Sequence, residues 1–314
     1  DIREKSYVWQ TAIGLQDVDG LKTSKYLIDT AIKNIEGDIT IDEAQNLLNS
    51  YYEENNQRDN KNRTEEADKV SVRIAKILSE RAFTLSTNEY ISIHKKLFYG
   101  IFPYAGVLRD YNITKKEWIL NGETVIYGSA TELKATLDYD ISKEKKFSYK
   151  NLSSQEIIHH LALFISDLWQ IHAFSEGNTR TSAVFFIKYL RTLGYNVTND
   201  IFAENSWYFR NALVRANYTD LKNNVHSTTE YLELFLENLL INKNHQLSNR
   251  LMHIGNISHK KVDIDDTKVD IDGTKVDIDD TKVDIENVCK CKISNISAKS
   301  LQHILKLYDK YSNT

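Results

Sequence analysis

Between His172 and Arg180 the chain reads His-Ala-Phe-Ser-Glu-Gly-Asn-Thr-Arg, a short polar run holding an imidazole, a carboxylate, an amide and a guanidinium. These types suit an anion site. Gly177 allows close approach of backbone to a phosphate, and a helix beginning near Arg180 offers free N–H groups and the positive end of its dipole. Arg180 can clamp phosphate oxygens through two parallel bonds. Glu176 is a single carboxylate beside them, the sparse way in which Mg²⁺ is held. His172 titrates near neutrality and can take a proton from a hydroxyl. Asn178 can donate to a phosphate or cap the helix. The plainer alternatives are a structural histidine and a Glu176–Arg180 ion pair at i, i+4.

The flanking elements place this run at the centre of a fold. Ile157, Leu161, Phe164, Leu168 and Trp169 mark an apolar helix before it, and Ala183 to Leu190 is apolar nearly all round after it. Helical spacing recurs at Val70–Leu78 and through Tyr90, Ile93, His94 and Leu97. Near the start, Leu21 to Ile35 reads as a helix stopped by Gly37, and a second helix follows Thr40. One strand pair is expected within this: Trp118, Ile119, Leu120, Asn121, Gly122, Glu123, Thr124, Val125, Ile126 and Tyr127, with Asn-Gly as its two-residue turn.

Composition agrees with a mainly α fold. The 314 residues include 11 glycines and one proline, too few turn-formers for an all-β sandwich or propeller. The two cysteines, Cys289 and Cys291, exclude a disulfide framework and point to a reducing, cytoplasmic setting. No apolar run reaches the roughly 18 residues of a membrane span, and no signal peptide opens the chain, although a start at Asp1 points to a trimmed N-terminus. Residues 261–288 carry nine Asp and Glu286 against four Lys, a local charge of −6; the whole chain is −4, leaving +2 for the rest. That is no footprint of a nucleic-acid binder.

The organisation expected is an N-terminal helical segment over 1–56, a polar linker over 57–64, a catalytic unit over 65–245 and a tail over 246–314. The tail holds a seven-residue repeat over 261–286, Lys-Val-Asp-Ile-Asp-Asp-Thr, in which Val and Ile alternate with Asp at period two. That alternation suits an extended segment better than a coiled coil, and the ordered loop of a calcium site is missing. A last helix is expected from Ala298 to Tyr311.

The run 172–180 resembles the signature of the Fic family, His-Pro-Phe-x-(Asp/Glu)-Gly-Asn-Gly-Arg-x-x-Arg, matching at His172, Phe174, Glu176, Gly177, Asn178 and Arg180. Ala105-Gly106-Val-Leu-Arg109 resembles the Ala-Gly-x-x-Arg element of that family, and 118–127 resembles its target-docking flap. The resemblance implies a Fic-type helical bundle that transfers AMP from ATP to a Ser, Thr or Tyr hydroxyl of a target protein or of itself. In that scheme His172 is the general base, Glu176 holds Mg²⁺, and Gly177, Asn178, Thr179 and Arg180 bind the nucleotide phosphates. Glu36, in Ile35-Glu36-Gly37, resembles the inhibitory glutamate of an antitoxin-like helix, with Arg180 its expected partner. Ala173 and Thr179 depart from the signature tolerably; Ala183 replaces its second Arg, which bears on the donor. The alternatives are another phosphate-containing donor, removal of AMP, or nucleotide binding without turnover. By the same analogy the last helix would open a further domain after residue 314, the one route by which nucleic acid would enter.

Overall fold

The computed structural model describes residues 1–54, 63–197 and 200–255. The repeats 261–286, both cysteines, the expected last helix and most of the expected linker lie outside the described residues. The helices are α1 (Ile2–Gly14), α2 (Lys25–Glu36), α3 (Ile41–Glu54), α4 (Thr64–Ser79), α5 (Thr87–Phe98), α6 (Leu133–Lys146), α7 (Ser154–Ile171), α8 (Asn178–Thr192), α9 (Ile201–Ala216), α10 (Glu230–Ile241) and the short α11 (Asn249–Met252). Among the described residues the fold is helical, with one isolated bridge between Asp220 and Val225 and no strand.

Helix α8 is the central element. Every residue from Asn178 to Leu190 is buried, as an all-round apolar pattern requires. Helix α5 packs on α8, α7 lies beside it, and α4 crosses behind. Helix α7 begins at a capping box, where Ser153 Oγ accepts from Glu156 N and Glu156 accepts from Ser153 N. Helix α1 packs on α4 and α9, so the N-terminal helices share one continuous core with the rest. After α1, a 3-10 turn over Leu15–Asp19 brings Gln16 and Asp19 toward the N-terminal end of α8.

The expected hairpin does not form. Asn121 and Gly122 do adopt positive φ, 56° and 86°, as that dipeptide favours. The residues before them are a 3-10 turn, Trp118–Leu120, because adjacent Ile119 and Leu120 are both fully buried. A strand would send one of the two to solvent. The loop closes instead through Glu117 N to Glu123 O at 3.0 Å and Gly122 N to Glu117 O at 2.9 Å. Residues 123–127 then run as an arm without regular secondary structure and with alternating exposure: Val125 and Tyr127 are buried, whereas Ile126 is 83% exposed.

One buried carboxylate joins α2, α3 and α4. Asp68 accepts from Ser24 N at 2.8 Å, Ser24 Oγ at 2.5 Å and Tyr52 Oη at 2.6 Å. Burial pushes its carboxyl up to about 6 despite these donors. The raised value means that Asp68 favours the fold most below about pH 4, and that this contribution is lost as pH rises through 6. We expect Asp68→Asn to remove that dependence. Urea denaturation at pH 4 and pH 7 should show wild type losing on the order of 2–3 kcal/mol relative to the variant across this window. A constant difference between the two proteins would mean that Asp68 does not titrate there.

Candidate active site

His172 ends α7 in the left-handed conformation, φ 48° and ψ 56°, with its N–H bonded to Trp169 O at 3.0 Å. That backbone is uncommon outside glycine and needs support. Arg109 supplies it. Its Nε donates to His172 O at 2.7 Å and Nη2 to Gly128 O and to Ile171 O at 3.2 Å. Nη1 donates to Tyr111 O at 2.7 Å, and the Arg109 N–H donates to Ala173 O at 3.0 Å. A buried guanidinium thus sits on the carbonyl end of α7, where a helix favours a cation.

The His172 ring is 3% exposed, with Tyr127 at 4.2 Å and Trp169 edge-on at 5.2 Å between ring centres. Neither ring nitrogen has a hydrogen-bond partner among the described residues. Burial holds its pKa well below the ordinary histidine value, and Lys115, Arg210 and Arg109 add to the effect, so the ring is neutral at pH 7. Tyr127 is fixed in turn: its hydroxyl donates to Glu117 at 3.2 Å, and Arg210 grips the same carboxylate at 2.7 and 3.1 Å.

The loop beyond His172 is braced from within. Asn178 accepts from Phe174 N at 2.9 Å and donates to Phe174 O at 2.6 Å, so its amide is spent on the loop. Thr179 Oγ1 accepts from Trp169 Nε1 at 3.0 Å. Gly177 has φ 74°, and a Cβ there would lie 2.4 Å from the Phe98 ring, so both conformation and packing require glycine. The first intrahelical bond of α8 runs from Thr181 N to Gly177 O, which leaves the N–H groups of Asn178, Thr179 and Arg180 ahead of it.

Sequence reasoning placed His94 only on a helix; the structure makes it a bracket. Its ring stacks on Phe174 at 3.7 Å. Nδ1 accepts from Gly106 N at 2.9 Å, so Nε2 carries the proton and donates to Glu176 O at 3.0 Å. Burial pushes His94 down to about 4, which keeps this tautomer neutral. Its position three residues before Leu97-Phe98 was the only signal, and it reads as core.

Arg180 points into the protein interior. It is fully buried: Nη2 pairs with Glu66 at 2.7 Å, Nη1 donates to Gln16 at 3.0 Å, and Nε lies 2.7 Å from Asp19. The last is an ion pair without hydrogen-bond geometry. Burial raises the Asp19 carboxyl, but Arg180, Lys115, Arg210 and Arg63 outweigh this and hold it below the usual carboxylate range. Glu36 lies exposed at the far end of α2 and is not among the partners of Arg180. Glu176 is not a partner either. Its side chain is 43% exposed and faces Lys115 Nζ at 3.6 Å, so the alternative Glu176–Arg180 ion pair is not made.

Residues 84–190 match the Fic/DOC family. That stretch contains His94, Arg109, the arm 123–127 and the whole loop from His172 to Arg180. The chain contains a Fic domain. Protein adenylyltransferase VbhT of Bartonella schoenbuchensis is 27% identical over 108 residues, 34% of this chain; the chain spans about a fifth of that relative, 21% of its length. Two solved structures are similar in part. The N-terminal Fic domain of a VirB-translocated effector of Bartonella sp. AR 15-3 has TM-score 0.41 and 19% identity, over 52% of this chain and 76% of that one. A Fic domain from Bartonella quintana, solved with bound ADP, has TM-score 0.44 and 21% identity, over 55% and 82%. No helix among the described residues is long and apolar enough to cross a membrane.

Arg109→Lys should loosen the His172 turn, since an ammonium cannot reach four carbonyls on three segments at once. We expect a loss of about 1.5–3 kcal/mol in chemical denaturation, the range for hydrogen bonds to a charged group. An unchanged midpoint would show that the turn holds without the fork.

Proposed function

We propose that this chain transfers AMP from ATP to a Ser, Thr or Tyr hydroxyl of a protein, its own hydroxyls included. The observation that carries the reading is the buried, neutral His172 ring with both nitrogens unpartnered. Buried polar atoms are nearly always paired, and an exception beside an anion-binding helix end calls for a chemical task. The adenylyltransferase name of the VbhT relative supports the choice of nucleotide.

In this reading the hydroxyl oxygen attacks the α-phosphorus, its proton passes to a ring nitrogen of His172, and the bond to the β-phosphate breaks to release pyrophosphate. The phosphates are held by the N–H groups of Asn178, Thr179 and Arg180, with Lys115 as the cation at the mouth. The Asn178 and Thr179 side chains and Arg180 shape the loop from behind. Glu176 fits Mg²⁺ because its carboxylate is half-exposed, with Lys115 Nζ 3.6 Å away. No group of three or more acidic, His or Cys side chains among the described residues could hold a metal by itself, so the ion would come with the nucleotide. When bound, Mg²⁺ would offset the charge that develops on the phosphates.

Asp19 and Glu66 balance Arg180 from behind the loop. Asp19→Asn should therefore loosen the first turn of α8 and lower the rate of label transfer by about tenfold or less, the worth of one weakened charge contact. Glu36→Gly should leave the rate unchanged; a rise would give Glu36 an inhibitory role.

The function is tested with ATP labelled at the α-phosphate. His172→Ala should lower transfer about 10²- to 10⁴-fold, the usual weight of a general base, while nucleotide affinity stays within about twofold. Because the ring stays neutral, the acid limb of the wild-type profile should lie well below pH 6.5. Equal losses of affinity and rate would make His172 a binding residue; an added mass other than AMP would identify another donor.

A further inference from the structure

A general base must offer one lone pair to the hydroxyl within hydrogen-bond reach, yet a histidine ring turns about χ2 with little intrinsic resistance. Neither ring nitrogen of His172 has a partner among the described residues, so packing must set the plane of the ring. Three rings close a triangle there. Tyr127 lies 4.2 Å from His172 at a tilt of 39°, and Trp169 stands edge-on to His172 at 5.2 Å. Tyr127 and Trp169 meet each other at 5.8 Å. Both are buried, and each carries one polar handle.

The two handles are tied to different parts of the fold. Trp169 Nε1 donates to Thr179 Oγ1 at 3.0 Å, in the first turn of α8. Thr179 stands where the family signature has glycine, which would leave the indole N–H without this acceptor. Tyr127 Oη donates to Glu117 Oε1 at 3.2 Å, and Arg210 on α9 holds both oxygens of that carboxylate. Glu117 is itself a fixed post: its N–H donates to Glu123 O, and its carbonyl accepts from Leu120 N and Gly122 N. The backbone around Tyr127 is strapped to α7 as well. Gln170 Nε2 donates to Ile126 O at 3.0 Å, and Gly128 N donates to Gln170 O at 3.2 Å.

We propose that Thr179 and the Glu117–Arg210 pair are positioning residues for the transfer, fixing the plane of the His172 ring through Trp169 and Tyr127. The proposal rests on the adenylyl-transfer reading above. Buried polar networks whose members are all paired rigidify what they hold, and this one ends on the two rings that touch the base. A carboxylate on one imidazole nitrogen would also orient the ring, but it would occupy that nitrogen and favour the charged form. The aromatic clamp does neither. Both nitrogens stay open, and one of them can take the proton.

The test follows transfer from α-labelled ATP with Mg²⁺, the full chain serving as enzyme and acceptor. Tyr127→Phe keeps the ring and removes its tie; Thr179→Val keeps the branched shape and removes the acceptor. We expect each to lower the rate at saturating ATP about tenfold, short of the ~10²-fold that a 1 Å misplacement can cost. Nucleotide affinity should stay within about twofold, and Thr179→Ser, which keeps the hydroxyl, should bring the rate back to near wild type. The double variant should lose less than the product of the single losses, because both ties hold one ring. A second readout needs no turnover. With ¹⁵N-labelled histidine in the full chain, His172→Ala identifies the His172 ring signals, which should be single in wild type and broadened or doubled in Tyr127→Phe and Thr179→Val. An unchanged rate with a lowered denaturation midpoint, or a loss that falls on nucleotide affinity, overturns the proposal and makes the ties structural. Identical ring signals in wild type and both variants overturn it too. A wild type that takes up no label fails the adenylyl-transfer reading instead, and the clamp then stands or falls by the ring signals.

Discussion

The guanidinium of Arg180 is the contact on which the remainder is built. A fully buried cation is costly to desolvate and persists only if opposite charge and hydrogen bonds surround it. Glu66 on α4, Gln16 and Asp19 on the 3-10 turn, and the face of Phe98 at 4.8 Å together provide this. Arg63 holds both oxygens of Glu66 at 2.7 Å, extending the network to the start of α4. The first turn of α8 is therefore fixed by residues from three other elements, and the loop before it inherits that position.

Around this anchor the loop meets its polar demands without a ligand, except at His172. Asn178 satisfies Phe174, His94 satisfies Glu176 and Gly106, and Arg109 satisfies the last carbonyls of α7. Each brace is a side chain whose own donors or acceptors are consumed in bracing. Not used in bracing among the described residues are the imidazole of His172, the Glu176 carboxylate and the N–H groups of one helix turn. The site is small because most of its polar residues are occupied with shape.

Much of this was legible in the sequence. Gly37 ends α2 and the apolar run of α8 is central, because both follow from local rules of helix ending and periodicity. The loop was legible as a motif. The jobs of Asn178, Thr179 and Arg180 were not, since each also fits an anion site and the deciding partners are remote. Gln16 and Glu66 stand 164 and 114 residues from Arg180, and spacing carries no sign of them. Glu36 carried a plausible charge at a helix end, and the partners that Arg180 has in the structure are Gln16, Asp19 and Glu66. The hairpin failed for a local reason: Asn121-Gly122 specified the turn correctly, whereas consecutive buried Ile119 and Leu120 required a helical turn before it.

The reach of the Arg180 network also sets the smallest piece of this chain that can be made. The family match begins at residue 84, and a gene trimmed there would encode α5 through α8 intact. It would also discard Gln16, Asp19, Arg63 and Glu66, leaving a guanidinium in an apolar interior with no countercharge. Such a fragment would have to expose α8 or recruit water to Arg180, and would be poorly soluble. The recognisable domain and the physical unit therefore have different borders, and inheritance of this Fic domain requires inheritance of its N-terminal helices.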